Sequence, residues 1–211
     1  MNRVLRKIRK ENKEILSYEE VKKYCQELYF NHRTIGNYLI SRGYLVKIFE
    51  DIYYVKSDDE IINKTLKYTI LELLAEALKK KHIKNWYFGL YTALDLMDVK
   101  YEHDNTYYYL INDRISKNEP VDILGNKFRF LRFKLGFFDF GIKKRRVKHS
   151  DLEKTILDML YLWDCNHVNE NRILIELSHL MHGISKKKIY EYSKYYPKSM
   201  IHFLEKALIK V

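Results

Sequence analysis

Residues 17–56, SYEEVKKYCQELYFNHRTIGNYLISRGYLVKIFEDIYYVK, decide how this chain is read. Ser17-Tyr18-Glu19-Glu20 is a capping box, in which the serine oxygen accepts an orphan amide and the glutamate reaches back to the serine N–H. Val21, Tyr24, Cys25 and Leu28 follow at i, i+3, i+4 and i+7, the stripe of one buried helix face. Tyr29-Phe30-Asn31 breaks that helix, and Asn31 caps a second one from His32 to Arg42. The second helix is expected to bury Ile35, Tyr38 and Leu39 and to stop at Gly43. Tyr44 to Ile48 and Ile52 to Lys56 are β-rich runs around the acidic turn Phe49-Glu50-Asp51. Helix, turn, helix, hairpin is the order of a winged helix-turn-helix, which sets one helix in a major groove and a β-wing against the backbone. DNA binding is therefore the first expectation.

With positions 35, 38 and 39 turned inward, His32, Arg33, Gly36, Asn37 and Ile40 face outward, and Thr34 joins them as a candidate contact. Arginine forks onto guanine and asparagine onto adenine, as base readout requires. Gly36 costs its helix about 1 kcal/mol against alanine, which implies close approach by DNA or by the preceding helix. Lys47 in the wing, Lys22 and Lys23 on the first motif helix, and Arg3, Arg6 and Lys7 are candidate phosphate contacts. The alternative is a set of solvated charges on a domain that uses its helix-turn-helix for protein contacts.

The whole chain has room for this. Its 211 residues can form one large or two small domains, and its 46% apolar content is enough for a core. A balance of 39 basic to 28 acidic residues gives +11, a footprint for a polyanion. Abundant Lys, Ile, Asn and Tyr also fit an A+T-rich genome, and a single glutamine (Gln26) with a heavy Lys/Glu load leans toward a thermophilic source. Cys25 and Cys165 have neither zinc-finger spacing nor a C-x-x-C partner, so both read as buried thiols of a reducing cytoplasm. The charged start Met1 to Lys7 lacks the apolar core of a signal peptide. No run of about 18 apolar residues exists for a membrane span; Trp86 to Met97 comes nearest and is excluded by its length and Asp95.

Further along, Val4, Leu5 and Ile8 suggest a first helix, and Ile15-Leu16 a short bridge into the wing sheet. Ser57 to Glu60 is a second capping box, expected to open the longest helix, through Ile62, Leu66, Ile70 and Ala77 to the lysines at 79–81, leaving the first domain. Asn85 to Val99 reads as a helix or helix pair. Strands are expected at Thr106–Asn112 and Lys127–Phe133, with shorter pieces at Phe137–Ile142 and Arg145–Lys148. Ser150-Asp151-Leu152-Glu153 is a third capping box. Final helices run from about Asn169 to Met181 and from Lys186 to Leu208, with a break at Pro197. The fold class is α+β: a winged helix-turn-helix over residues 1–57, then a mixed α/β domain with a helical C-terminus over 58–211.

Catalytic patterns are missing. Asp139-Phe140-Gly141 matches a kinase tripeptide without its partner motifs. Asp122 has no following carboxylate to complete a metal-dependent nuclease. Glu176-x-x-His179-x-x-His182 shares one helix, but no facing carboxylates are patterned to complete a metal site, and no cofactor is expected. The densest basic run, Lys143, Lys144, Arg145, Arg146 and Lys148, reads either as a grip on nucleic acid or an acidic protein, or as edge lysines that deter sheet aggregation.

Three segments together resemble the AbiEi family of antitoxins: Ser41 to Val46 with Ile52 to Val55; Tyr87-Phe88-Gly89-Leu90-Tyr91-Thr92-Ala93-Leu94; and His149-Ser150-Asp151-Leu152-Glu153-Lys154-Thr155-Ile156-Leu157-Asp158. They occur in the family's order over roughly residues 3–165. The chain departs from the family at the wing turn, where Glu50-Asp51 replaces the usual glycine, and at Met97-Asp98-Val99, which replaces a Gly-Leu. The resemblance implies a cytoplasmic autorepressor that binds inverted repeats in double-stranded operator DNA. It also implies an antitoxin that counters a nucleotidyltransferase-like toxin without requiring a stable complex. The alternative is a non-catalytic nucleic-acid-binding adaptor for a defence or processing enzyme.

Overall fold

The computed structural model describes residues 3–101, 106–181 and 183–209. Their helices and two sheets make an α+β chain, divided into two compact units. One holds the residues up to Lys84 together with Asp122–Gly125, and the other holds the remainder.

The N-terminal unit runs α1 (Arg3–Lys10), β1 (Ile15–Ser17), α2 (Tyr18–Glu27), α3 (His32–Ser41), β2 (Leu45–Phe49), β3 (Ile52–Val55), α4 (Asp58–Ile62) and α5 (Ile70–Lys80). Its sheet has the order β1-β3-β2 and is antiparallel throughout, with Ile15 opposite Tyr54 and Lys47 opposite Tyr53. Val4, Leu5 and Ile8 of α1 join Leu16, Val21, Tyr24, Cys25, Leu39, Leu45 and Val55 in one core. Two of the three expected serine capping boxes form, Ser17 with Glu20 and Ser57 with Glu60.

The helix expected to continue from Ser57 to Lys81 is two helices. It stops after Ile62, and Thr69 opens α5 with a capping box of its own to Glu72. The buried Leu71, Leu74 and Leu78 of α5 accompany packing against β1, β2 and β3, and Lys80 reaches Glu20 at 2.7 Å. Burying that stripe on the three-stranded sheet keeps the helix in the first unit. The division therefore falls between Lys84 and Asn85, not at residue 57.

The C-terminal unit contains β4 (Trp86–Phe88), α6 (Leu90–Leu96), β5 (Tyr108–Asn112), β7 (Asn126–Arg132), β8 (Ile142–Lys144), β9 (Lys148–Ser150), α7 (Leu152–Cys165), α8 (Glu170–Leu180), α9 (Lys186–Ser193) and α10 (Ile201–Ile209), and of β6 (Val121–Ile123) it holds Val121. The sheet order is β6-β7-β5-β4-β9-β8. Pairing is parallel for β5/β7 and β4/β9 and antiparallel for β4/β5 and β8/β9. The stretch expected as helix from Asn85 is first a strand. Trp86, Tyr87 and Phe88 are all buried, a continuous apolar run that helix and strand share, and the helix begins only after Gly89. Of the strand expected at Phe137–Ile142, Phe137 and Phe138 lie in a 3-10 turn (Leu135–Phe138) and only Ile142 lies in a strand. A Cβ at Gly89 would stand 2.5 Å from the Ile111 δ-methyl, so a side chain there would force Ile111 to shift.

Helix α7 is the axis of this unit, buried from Glu153 to Leu160. Its cap is Asp151, whose side chain accepts from the Lys154 amide; Ser150 ends β9, and its hydroxyl lies 2.6 Å from that of Thr155. Cys165, at the C-terminal end of α7, is exposed, whereas Cys25 is buried as expected.

Lys154 and Asp158, one helical turn apart, are both fully buried, with Nζ 3.4 Å from the carboxylate. Four rings surround the ammonium: Phe140 at 4.3 Å, Tyr87 at 4.8 Å, Phe137 at 5.7 Å and Tyr196 at 5.8 Å. Their π-faces replace part of its lost hydration. Tyr196 and Tyr87 donate hydroxyl hydrogens to Asp158 at 2.6 and 2.8 Å. Burial lowers the lysine pKa and raises that of the aspartate, and raises both phenols far above their ordinary value, which keeps them as donors. Gly141 (φ +62°) packs against the lysine stem, where a Cβ would lie 2.7 Å from Lys154 Cβ. The Asp139-Phe140-Gly141 tripeptide thus supplies part of the cage around a buried lysine.

At the N-terminus of α7, Lys188 bridges Asp151 (3.0 Å) and Glu153 (2.9 Å), and the Ser185 amide donates to Glu153, tying α9 to α7. Burial alone would raise the Glu153 pKa; Lys188 and the Ser185 amide outweigh it, and the net shift is downward. A depressed carboxyl stabilises the fold fully above its unfolded pKa of about 4.3, and that contribution is lost as pH falls through the folded value. Denaturant midpoints are therefore expected to be level from neutral pH to about pH 5 and to fall below about pH 4.3, less steeply in Lys188→Met. A midpoint that holds steady through the acid range would contradict this role for Glu153.

Candidate nucleic-acid interface

Asn31 starts α3 by accepting from the Arg33 and Thr34 amides at 3.0 and 3.1 Å, which removes two of the orphan donors of a helix start. Leu39 anchors the helix in the core, with Ile35 half-buried beside it. Tyr38, expected inside, is 40% exposed, so the buried stripe is narrower than its periodicity suggested.

Arg33, Thr34 and Asn37 are exposed, and His32 and Gly36 are half-buried. His32 meets the Tyr18 ring edge-to-face, with centroids 5.8 Å apart. On this face lies a concavity of about 210 Å³, lined by His32, Arg33, Gly36 and Asn37 of α3, and also by Tyr18 and Tyr53. A Cβ built on Gly36 meets nothing within 4 Å. Of the two expectations for this glycine, close packing against the preceding helix is therefore removed. Tyr18 and Tyr53 were not singled out from the sequence, where one is the first residue of a helix and the other one of many tyrosines.

Lys47 is exposed on β2. Lys23 is exposed on α2, and Lys22 is half-buried and paired with Glu19 at 3.5 Å. Arg3 and Arg6 are exposed on α1, whereas Lys7 is held by Glu27. The hairpin turn places Glu50 at φ 48°, a conformation that favours glycine, and Lys81 offsets part of the tip's negative charge with 2.7 Å contacts to both Glu50 and Asp51. That pairing, ahead of the opposing effect of burial, lowers the Asp51 pKa.

The second basic cluster comprises Lys143 and Lys144 on β8, at the edge of the six-stranded sheet, and Arg145 and Arg146 in the turn that leads to β9. Lys143, Lys144, Arg145 and Arg146 are exposed, and none forms an ion pair with a described carboxylate. Lys148 departs from the cluster: it is half-buried, 5.1 Å from the Trp86 ring centroid, and burial followed by Lys144 lowers its pKa.

On α8, Glu176 accepts the Tyr101 hydroxyl and lies 4.0 Å from Arg172, and His179 is exposed. His182 lies outside the described residues. Among the described residues no three ligating side chains gather around a metal-sized space, and no helix is long and apolar enough to cross a membrane.

Neither a protein-family model nor a curated protein sequence matches the chain. Among solved structures, the fold is similar to that in the crystal structure of the RV2827C protein from Mycobacterium tuberculosis. The TM-score is 0.57 and the identity 10%, over 98% of this chain and 75% of that one. At that identity the likeness carries the α+β architecture alone.

Proposed function

We propose that the N-terminal unit is a winged helix-turn-helix that binds double-stranded operator DNA, and that the chain is a non-catalytic autorepressor and antitoxin acting in the cytoplasm. The observation that carries this reading is the outer face of α3. It presents Arg33, Thr34 and Asn37 to solvent beside an antiparallel hairpin bearing Lys47, the side-chain types that read base edges and hold phosphates. The antitoxin half rests on the three segments that resemble the AbiEi family, and its counterpart is a nucleotidyltransferase-like toxin.

The test is binding to labelled DNA from upstream of the gene against scrambled DNA, across a salt series. Upstream binding that survives salt while scrambled binding fades supports a specific regulator. Superimposable, steeply salt-sensitive curves refute it.

A second reading, a nucleic-acid-binding adaptor for another enzyme, is favoured by the exposed cations Lys143, Lys144, Arg145 and Arg146 of the β8–β9 hairpin. In that case the Lys143→Ala/Lys144→Ala/Arg145→Ala/Arg146→Ala variant is expected to lower the slope of log K against log salt by up to about 3–4. An unchanged slope assigns the four cations to edge protection instead.

A further inference from the structure

A concavity of about 210 Å³ lies beside α3, and the bare helix backbone at Gly36 that opens onto it has no explanation within the protein. A helix-interior glycine weakens its helix, and the open space over Gly36 shows that no neighbouring side chain requires one. Removing the side chain keeps the concavity open. Its lining is that of a small-molecule site: apolar Val21, Leu45 and Ile40, the rings of Tyr18, His32 and Tyr53, and only two strongly polar groups, Arg33 and Asn37. Aromatic walls select a flat ring by stacking and edge contacts. The guanidinium, which forms no ion pair with a described carboxylate, selects an anionic substituent.

We propose that this concavity binds a small planar aromatic anion, and that its occupancy excludes DNA. The exclusion rests on the DNA-binding reading, because the ligand and the groove would share Arg33 and Asn37. The ligand then acts as an inducer: it binds only the DNA-free protein, and by linkage it weakens DNA binding as its concentration rises.

The pocket is tested without DNA, by NMR titration of the full chain with benzoate, following the His32 ring protons. Benzyl alcohol and cyclohexanecarboxylate serve as controls that lack the charge and the flat ring respectively. Saturable shifts are expected with benzoate, weakened about tenfold in Arg33→Ala, where one charge-assisted contact is lost. They are expected to be abolished in Gly36→Leu, which fills the concavity. Gly36→Leu restores a better helix former, so its melting temperature is expected at or above that of the parent chain, which separates filling from unfolding. No saturation, equal shifts in all three proteins, or equal response to cyclohexanecarboxylate overturns the pocket. The second arm adds each compound to the complex of the parent chain with upstream DNA and expects the apparent Kd to rise with benzoate and not with benzyl alcohol or cyclohexanecarboxylate. If benzoate binds and the DNA affinity does not move, the exclusion is wrong. If upstream DNA is never bound, the DNA-binding reading has failed, and with it the exclusion, while the pocket stands or falls on the titration.

Discussion

Lys154→Ala is expected to destabilise the C-terminal unit by about 3–5 kcal/mol, the cost of leaving one member of a buried ion pair without its partner. The substitution leaves Asp158 buried with only its two tyrosine donors and opens a void inside the cage of Tyr87, Phe137, Phe140 and Tyr196. Asp158→Ala is expected to be at least as severe, because it strands an ammonium and two buried hydroxyls together. The double variant Lys154→Ala/Asp158→Ala should cost less than the sum of the two, since each single change already forfeits the shared attraction. Trp86 and Trp163 both belong to the C-terminal unit, so tryptophan fluorescence during urea unfolding reports on that unit alone. A loss below about 1 kcal/mol for Lys154→Ala would mean that the pair is not buried as described, because the median exposed pair is worth no more than that.

This cage also marks where sequence reading stops. The apolar period of α7 was legible through Ile156, Leu157 and Leu160, but the same period places Lys154 and Asp158 on covered faces, and a charged pair at i, i+4 reads by default as solvated. The only sequence signal was the recurrence of that pair in the segment resembling the AbiEi helix start. Capping was legible where side chains were free to cap, at Ser17 and Ser57. It was misassigned at Ser150, where the strand and the Thr155 hydroxyl claim the serine and leave the cap to Asp151. Trp86 to Phe88 shows another limit: three consecutive buried side chains carry no period at all, so only the sheet partners distinguish strand from helix. In the candidate interface, the exposed Arg33, Thr34 and Asn37 were legible from the position of Leu39. The concavity was not, because Tyr18 and Tyr53 reach it from two other elements.

For DNA, Arg33→Ala and Asn37→Ala are each expected to weaken binding to the upstream fragment by about 1–3 kcal/mol while changing scrambled-DNA binding far less. The difference in kind comes from the groups involved. A bidentate side chain on a base edge discriminates, whereas an ammonium on a phosphate contributes to every sequence alike. Lys47→Ala, on the hairpin, is therefore expected to weaken specific and scrambled binding together and to reduce the salt slope by about 1. Thr34 is a weaker case, because its hydroxyl also lies 3.4 Å from the Asn31 oxygen that caps the helix, so Thr34→Ala mixes a lost contact with a perturbed cap. Arg33 and Asn37 carry no such ambiguity, since both side chains are exposed and neither belongs to the cap or the core. Their substitution leaves Leu39 and the Asn31 cap in place, so unchanged thermal unfolding should accompany the lost specificity. Parallel loss on both DNAs for all three variants would reduce α3 to a source of positive charge and would remove the grounds for calling it a recognition helix.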